Sequence, residues 1–177
     1  AYHNAPYTLL DDVLIDATGK NLNTFLTDEL KSKIGMDGQY IQTGDNNVYY
    51  STARSMARFG LLLLNKGTWN TTNIIPEDYF TLMTTTSQNL NLSYGYLTWL
   101  NGKTSSMVPG LQTVFPLSIS SNAPNDLFAA MGKNGQIINI IPSENLIVVR
   151  MGDSPDATLV PFTFQNEMWA RLQNIIQ

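Results

Sequence analysis

The chain has 177 residues, 43% of them hydrophobic, with ten basic and fourteen acidic side chains and a formal net charge of −4. That length and apolar content suit one domain with a real core, and the scattered, net-acidic charge argues against nucleic acid or an anionic membrane as partner. No apolar run approaches the ~18 residues of a membrane span; the absence of cysteine excludes disulfides and thiolate catalysis; one histidine without a His/Cys/Asp cluster argues against zinc, and no cofactor is expected.

Taken in order, Tyr2 to Pro6 form a loop entry. From Thr8, the residues Leu9, Leu10, Val13, Leu14 and Ala17 follow helical spacing, and Gly19 is placed to stop the helix. Asn23 is expected to cap a second helix that carries Phe25, Leu26, Leu30 and Ile34 and closes at Gly35. Asp37 to Asn47 reads as loop. Ser51 or Thr52 caps the clearest helix, with Met56, Phe59, Leu63 and Leu64 as its stripe and Gly67 as its end. Arg54 and Arg58 lie on another face of it, either solvated or in helix ion pairs. A short helix from Pro76 through Met83 follows, then a polar linker, and Tyr94 to Leu100 reads as a strand with an aromatic face. Trp99 and Tyr96 either pack or line a pocket. Residues 1–93 are thus mainly helical, and residues 94–177 are sheet plus a terminal helix within one domain.

Asn101 to Asp126 is a long irregular stretch, which in a compact domain is usually functional or disordered; it is taken as a substrate-side loop. Three strands come next. Leu127 to Met131 stops at Gly132, Gln136 to Ile141 is rich in isoleucine, and Leu146 to Arg150 contains Ile147, Val148 and Val149. Gly132 and Gly135 bracket a tight turn that would let a ligand approach the backbone closely, and Pro142 to Asn145 is a hairpin turn. Gln136 either bonds across the hairpin or reaches substrate. Phe164, Met168, Leu172 and Ile175 give a last amphipathic helix packed on the sheet. Helices first, then antiparallel strands and a terminal helix make an α+β layout, an antiparallel sheet flanked by helices.

Three stretches in this order resemble the serine β-lactamase and penicillin-binding-protein superfamily, in its class C and esterase-like branch. Tyr2-His3-Asn4 is similar to the Tyr-x-Asn motif. Ser51 to Gly60, running on to Trp69-Asn70, is similar to a helix and turn of that branch. Gly132-Lys133-Asn134-Gly135-Gln136 with the following hairpin is similar to the active-site strand. The resemblance implies a β-lactamase/transpeptidase-like fold and acyl transfer through a serine on a Ser-x-x-Lys motif. Tyr2 would relay the proton, Asn4 would orient lysine or substrate, and the Lys133 backbone N–H would donate to an oxyanion. Gly132, Asn134, Gly135 and Gln136 would line the substrate site.

Two departures shape the expectation. The residues three before each lysine are Ala17, Asp28, Leu30, Leu63, Leu100 and Ala130, so the chain holds no Ser-x-x-Lys. It is therefore expected to be the C-terminal portion of a hydrolase, incomplete without an N-terminal portion of the same protein as partner, inactive alone, and left with an open sheet edge and an uncovered apolar face. Where β-lactamases carry Lys-Thr-Gly, Ala130-Met131-Gly132 lack the cation, which favours a small-molecule ester, amide or D-peptide over a β-lactam. A β-lactamase or penicillin-binding protein, and a non-catalytic binding module of the same fold, are the alternatives. The resemblance alone implies a periplasmic or secreted location.

Overall fold

The computed structural model describes residues 5–176. Helix α1 (Ala5–Thr18) ends as expected at Gly19, whose φ is 67°. It begins at Ala5, inside the loop entry assigned from sequence and three residues before Thr8. Leu9, Leu10 and Val13 stay 50–61% exposed on it, so an apolar stripe faces outward. The second helix is α2 (Leu22–Leu26), one wider π-turn (Thr27–Lys31) and α3 (Ser32–Ile34), closed at Gly35 with φ 66°. Its cap is Asn21, which accepts from the Thr24 N–H, and not Asn23. Asn23 instead exchanges two bonds of 2.7 and 2.9 Å with the Tyr40 backbone and ties this helix to the next element.

That element is a hairpin, β1 (Gln39–Thr43) with β2 (Asn46–Tyr50), where the sequence was read as loop. Gly44 and Asp45 mark only the two-residue turn. Tyr40, Ile41, Val48, Tyr49 and Tyr50 supply strand propensity on either side, and it outweighs the breakers. Helix α4 (Ala53–Leu64) is capped by Thr52, whose hydroxyl accepts from the Ser55 N–H. Arg58 is in neither ion pair found among the described residues; it donates to the Ile34 carbonyl at 3.0 Å and so satisfies the end of α3. A two-residue hairpin, β3 (Thr68–Trp69) with β4 (Thr72–Asn73), leads to α5 (Glu77–Met83), with Pro76 one place earlier than the first helical position.

Only Trp99–Leu100 (β5) of the expected 94–100 strand is extended into the main sheet. Tyr94 bridges back to Trp99 because Leu97 takes φ 51° and the Gly95 N–H closes on the Thr98 carbonyl at 2.8 Å. The sheet runs β5-β6-β7-β8, all antiparallel, with β6 (Phe128–Met131), β7 (Ile137–Ile141) and β8 (Leu146–Arg150) where the sequence placed three strands. Strand β7 is buried on both faces, which explains its continuous isoleucines. Phe128, Ile138 and Ile140 meet Leu63 and Phe80, while α4 sits so close to β8 that a Cβ on Gly60 would come within 2.7 Å of Ile147. Ala129, Met131, Ile137 and Ile141 meet α6 (Phe162–Leu172) on the other face through Trp169, which is fully buried. Gln165, also fully buried, donates to Asn139 of β7 at 2.7 Å. Ile175, expected on the helix stripe, lies beyond α6 and is 76% exposed. Trp99 packs in the core, edge-on to Phe162 at 4.8 Å, and Tyr96 is exposed.

The 101–126 stretch is irregular, as expected, but pinned. Asn101 bonds the Ala123 and Pro124 carbonyls and the Ser120 N–H, and Asn166 of α6 accepts from Ser120 and Asn122. On the outer side of β8 no further strand pairs among the described residues.

Candidate active site

The turn between β6 and β7 is where sequence and structure converge. Met131 pairs with Ile137, so Gly132 to Gln136 form the whole connection. The Gly132 N–H closes it by donating to the Gln136 carbonyl at 2.8 Å. A short 3₁₀ turn over Lys133–Gly135 follows, in which Asn134 (φ 62°) and Gly135 (φ 74°) are left-handed. Asparagine and glycine are the residues that tolerate this region.

The two glycines are not equivalent. A Cβ on Gly135 would sit 2.6 Å from both the Arg150 guanidinium and the Pro155 ring, so the fold itself demands glycine there. Gly132 has φ −107° and ψ 172°, ordinary extended backbone, and a Cβ on it would approach nothing closer than 3.7 Å. The described chain does not require glycine at 132: a side-chain carbon there would make only ordinary contact with Gln136.

Two side chains hold the turn from outside. Arg150, the last residue of β8, donates to the Asn134 and Gly135 carbonyls at 3.2 and 3.0 Å and to the Asp153 carbonyl at 2.6 Å. Its guanidinium also lies 5.2 Å from the centre of the Phe164 ring, a cation–π distance. Gln136 donates to the Asn134 and Gly152 carbonyls at 2.9 and 2.6 Å and accepts from the Gly152 N–H at 3.2 Å. The bond across the hairpin is thus made, and Gln136 also lines the cleft described next. Sequence reasoning passed over Arg150; a lone cation ending an otherwise apolar strand was the available signal.

Met131, Gly132, Lys133, Asn134 and Gln136 line one open cleft of about 1260 Å³, together with Gly152. The helical part completes it with Tyr7, Asp11 and Leu14 of α1 and Tyr40, Asn47 and Tyr49 of the hairpin. This is larger than the roughly 300–1,000 Å³ of typical small-molecule pockets. Gly132, Lys133 and Asn134 are exposed to it, whereas Gly135 is buried beneath them. Ala130 packs toward the α4 face of the sheet, and the buried Met131 lies on the α6 face and the cleft, so no cation occupies the two positions before Gly132. Tyr2 and Asn4 lie outside the described residues.

The hairpin side of the cleft is a constellation the sequence did not announce. Asn47 donates to the Asp11 carboxylate, Tyr7 donates to Asn46 at 2.9 Å, and the Tyr40 and Tyr49 rings lie 5.0 Å apart. Burial first, then the nearby Asp11 charge, pushes the Tyr40 phenol above its ordinary value; burial likewise raises Tyr49. Among the described residues no three His, Asp or Glu side chains converge to hold a metal ion, and no helix is long and apolar enough to cross a membrane.

No protein-family model and no curated protein sequence matches the chain. Solved structures do. A Bacillus anthracis protein described as a 6-aminohexanoate-dimer hydrolase superposes with a TM-score of 0.69 at 23% identity, over 100% of this chain and 45% of that one. A Bacteroides dorei protein described as a β-lactamase superposes with a TM-score of 0.66 at 11% identity, over 99% of this chain and 57% of that one. The chain therefore has the α+β fold of the β-lactamase-like hydrolases, and spans about half the length of these two solved chains.

Proposed function

We propose that this chain supplies the C-terminal part of a serine hydrolase that cleaves an ester, amide or D-peptide bond through an acyl-enzyme. The observation that carries the proposal is Gly132: a glycine that its own fold does not require, exposed on a cleft and directly before Lys133. A backbone left bare there suits the close approach of a substrate carbonyl. The Gly132 N–H is used inside the turn, so the next amide, that of Lys133, is the donor assigned to the oxyanion. Such a donor contributes roughly 2.7–4 kcal/mol to the transition state. The serine and its lysine come from a Ser-x-x-Lys segment outside these 177 residues; Tyr2 relays the proton and Asn4 orients the lysine or the substrate. The absence of a cation at Ala130 and Met131 favours neutral ester or amide over β-lactam, and the location is periplasmic or secreted.

The test is a longer polypeptide that includes the serine segment. Mixed with p-nitrophenyl butyrate, it should release nitrophenol and gain the butyryl mass on that serine. Tyr2→Phe should lower turnover about tenfold or more, within the usual range for a general acid–base group. A longer polypeptide that carries no such serine, or one that never acylates, would overturn the proposal. Faster turnover of nitrocefin than of the ester would move the substrate class to β-lactams.

A further inference from the structure

The dipeptide Asn-Gly occurs twice in the chain, at Asn101-Gly102 and Asn134-Gly135. It carries a chemistry of its own, because glycine has no Cβ to keep its backbone nitrogen from the asparagine side-chain carbonyl. The two copies stand in opposite surroundings. Asn101 is 4% exposed and held at both ends of its amide. Its nitrogen donates to the Ala123 and Pro124 carbonyls at 3.3 and 3.0 Å, and its oxygen accepts from the Ser120 N–H at 3.0 Å. Gly102 is wedged in place: a Cβ there would come within 2.4 Å of the Asn125 carbonyl oxygen. Asn134 is exposed on the cleft, and Gln136 and Arg150 hold its backbone carbonyl, not its side chain. Its φ of 62° and ψ of 25° turn the Gly135 nitrogen away from that side chain, so attack requires the turn to open. Arg150 and Gln136, which bond the Asn134 and Gly135 carbonyls from outside, oppose that opening.

We propose that Asn134 is a self-modification site, at which opening of the β6–β7 turn converts the asparagine to an acid. The Gly135 backbone nitrogen loses its proton and attacks Cγ of Asn134. The bond from Cγ to the side-chain nitrogen breaks, and ammonia leaves with that proton. Water then opens the cyclic imide at either carbonyl. Opening at Cγ gives an aspartate; opening at the backbone carbonyl gives an isoaspartate, whose main chain is longer by a methylene. The net change is amide plus water to acid plus ammonia, with nothing oxidised or reduced. Either product places a negative charge next to Lys133 on the cleft wall. On the hydrolase reading, on which this consequence alone rests, that charge opposes an oxyanion at the Lys133 amide and silences the site as the protein ages.

The experiment is to age the full chain in mildly alkaline buffer, digest it and follow the two Asn-Gly peptides by mass. The peptide with residue 134 should gain the mass of an amide-to-acid change about tenfold or more faster than the peptide with residue 101, and should split into aspartate and isoaspartate forms. Arg150→Ala, which frees the turn, should speed conversion at 134 by about tenfold or more and leave 101 unchanged. Conversion at 134 no faster than at 101, or a rate at 134 that Arg150→Ala does not alter, would refute the site. Should Arg150→Ala fail to fold, the comparison of the two asparagines in the unaltered chain decides alone. Mass mapping requires no catalysis, so the site stands or falls whether or not the longer polypeptide is acylated by p-nitrophenyl butyrate.

Discussion

Replacing Arg150 by alanine tests whether the β6–β7 turn is held from outside or is stable by itself. The guanidinium makes three bonds to carbonyls, of 3.2, 3.0 and 2.6 Å, and a ring contact at 5.2 Å. Bonds to a charged group contribute roughly 1.5–3 kcal/mol each when buried. Here Asn134 is exposed, so water replaces much of what it loses; Gly135 is buried, and its carbonyl keeps the larger penalty. The net cost is therefore that of about one good bond plus the ring contact, roughly 2 kcal/mol. Confined to the turn, this should raise hydrogen exchange at residues 133–136 by about 30-fold, since 1.4 kcal/mol is a factor of ten. Felt globally, it should lower Tm by about 4–8 °C in a chain of this size. Arg150→Lys should recover little, because an ammonium cannot reach three carbonyls in a planar fork. If Arg150→Ala leaves both the exchange of the turn and Tm unchanged, the guanidinium contributes nothing and the turn is held by its own backbone and Gln136.

Three further outcomes are expected. Gly135→Ala should cost about 2 kcal/mol or more by chemical denaturation, because it adds left-handed strain to a 2.6 Å clash with Arg150 and Pro155; Gly132→Ala should cost less than about 0.5 kcal/mol yet impair acylation in the longer polypeptide. Gln165→Leu should destabilise by about 2 kcal/mol, as it removes the partner of Asn139 in a site where the Asn139 amide nitrogen already lacks a protein acceptor; adding Asn139→Val should restore most of the loss, and an additive double variant would contradict this. Tyr40 and Tyr49 should ionise above their ordinary value near 10.0 in absorbance titration. Because the folded-state values are raised, the associated stability is present below about pH 10 and lost as pH rises through the folded values. Asp11→Asn should lower the Tyr40 midpoint, and an unmoved midpoint would separate the two groups.

The three strands 127–150 were legible because their signals agree: β-branched runs, left-handed turn residues and burial on both faces all require the same register. The 39–50 hairpin was hidden because Gly38, Gly44 and Asp45-Asn46-Asn47 dominate by count, although Gly38 controls only its entry, Gly44 and Asp45 only its turn, and Asn46 and Asn47 pair within β2. The 94–100 segment failed in the opposite sense. Its aromatic alternation is that of a strand, but a Cβ on Gly95 would meet the Met83 carbonyl at 2.1 Å, and the chain must fold back there to pass α5. Asn23 and Arg58 were misassigned because both act across long sequence separations, on Tyr40 and Ile34, which local spacing does not encode.

The same limit governs the site. Gly132 and Gly135 are interchangeable letters in the pattern Gly-x-x-Gly, and the sequence justified both by turn chemistry. In three dimensions only Gly135 meets that justification, through its positive φ and its contact with Arg150 and Pro155. Gly132 satisfies no such demand among the described residues, which is why the proposed acyl-transfer site is built on it. A residue that packing and conformation leave unexplained is a better guide to chemistry than one they explain. Asp11 was hidden for a related reason: on the first helix it accepts from Asn47 of the hairpin, 36 positions away, on the wall of the same cleft. Gly132 in the β6–β7 turn and Asp11 on the first helix thus line one cleft from separate parts of the chain, an arrangement that no local pattern in the sequence encodes.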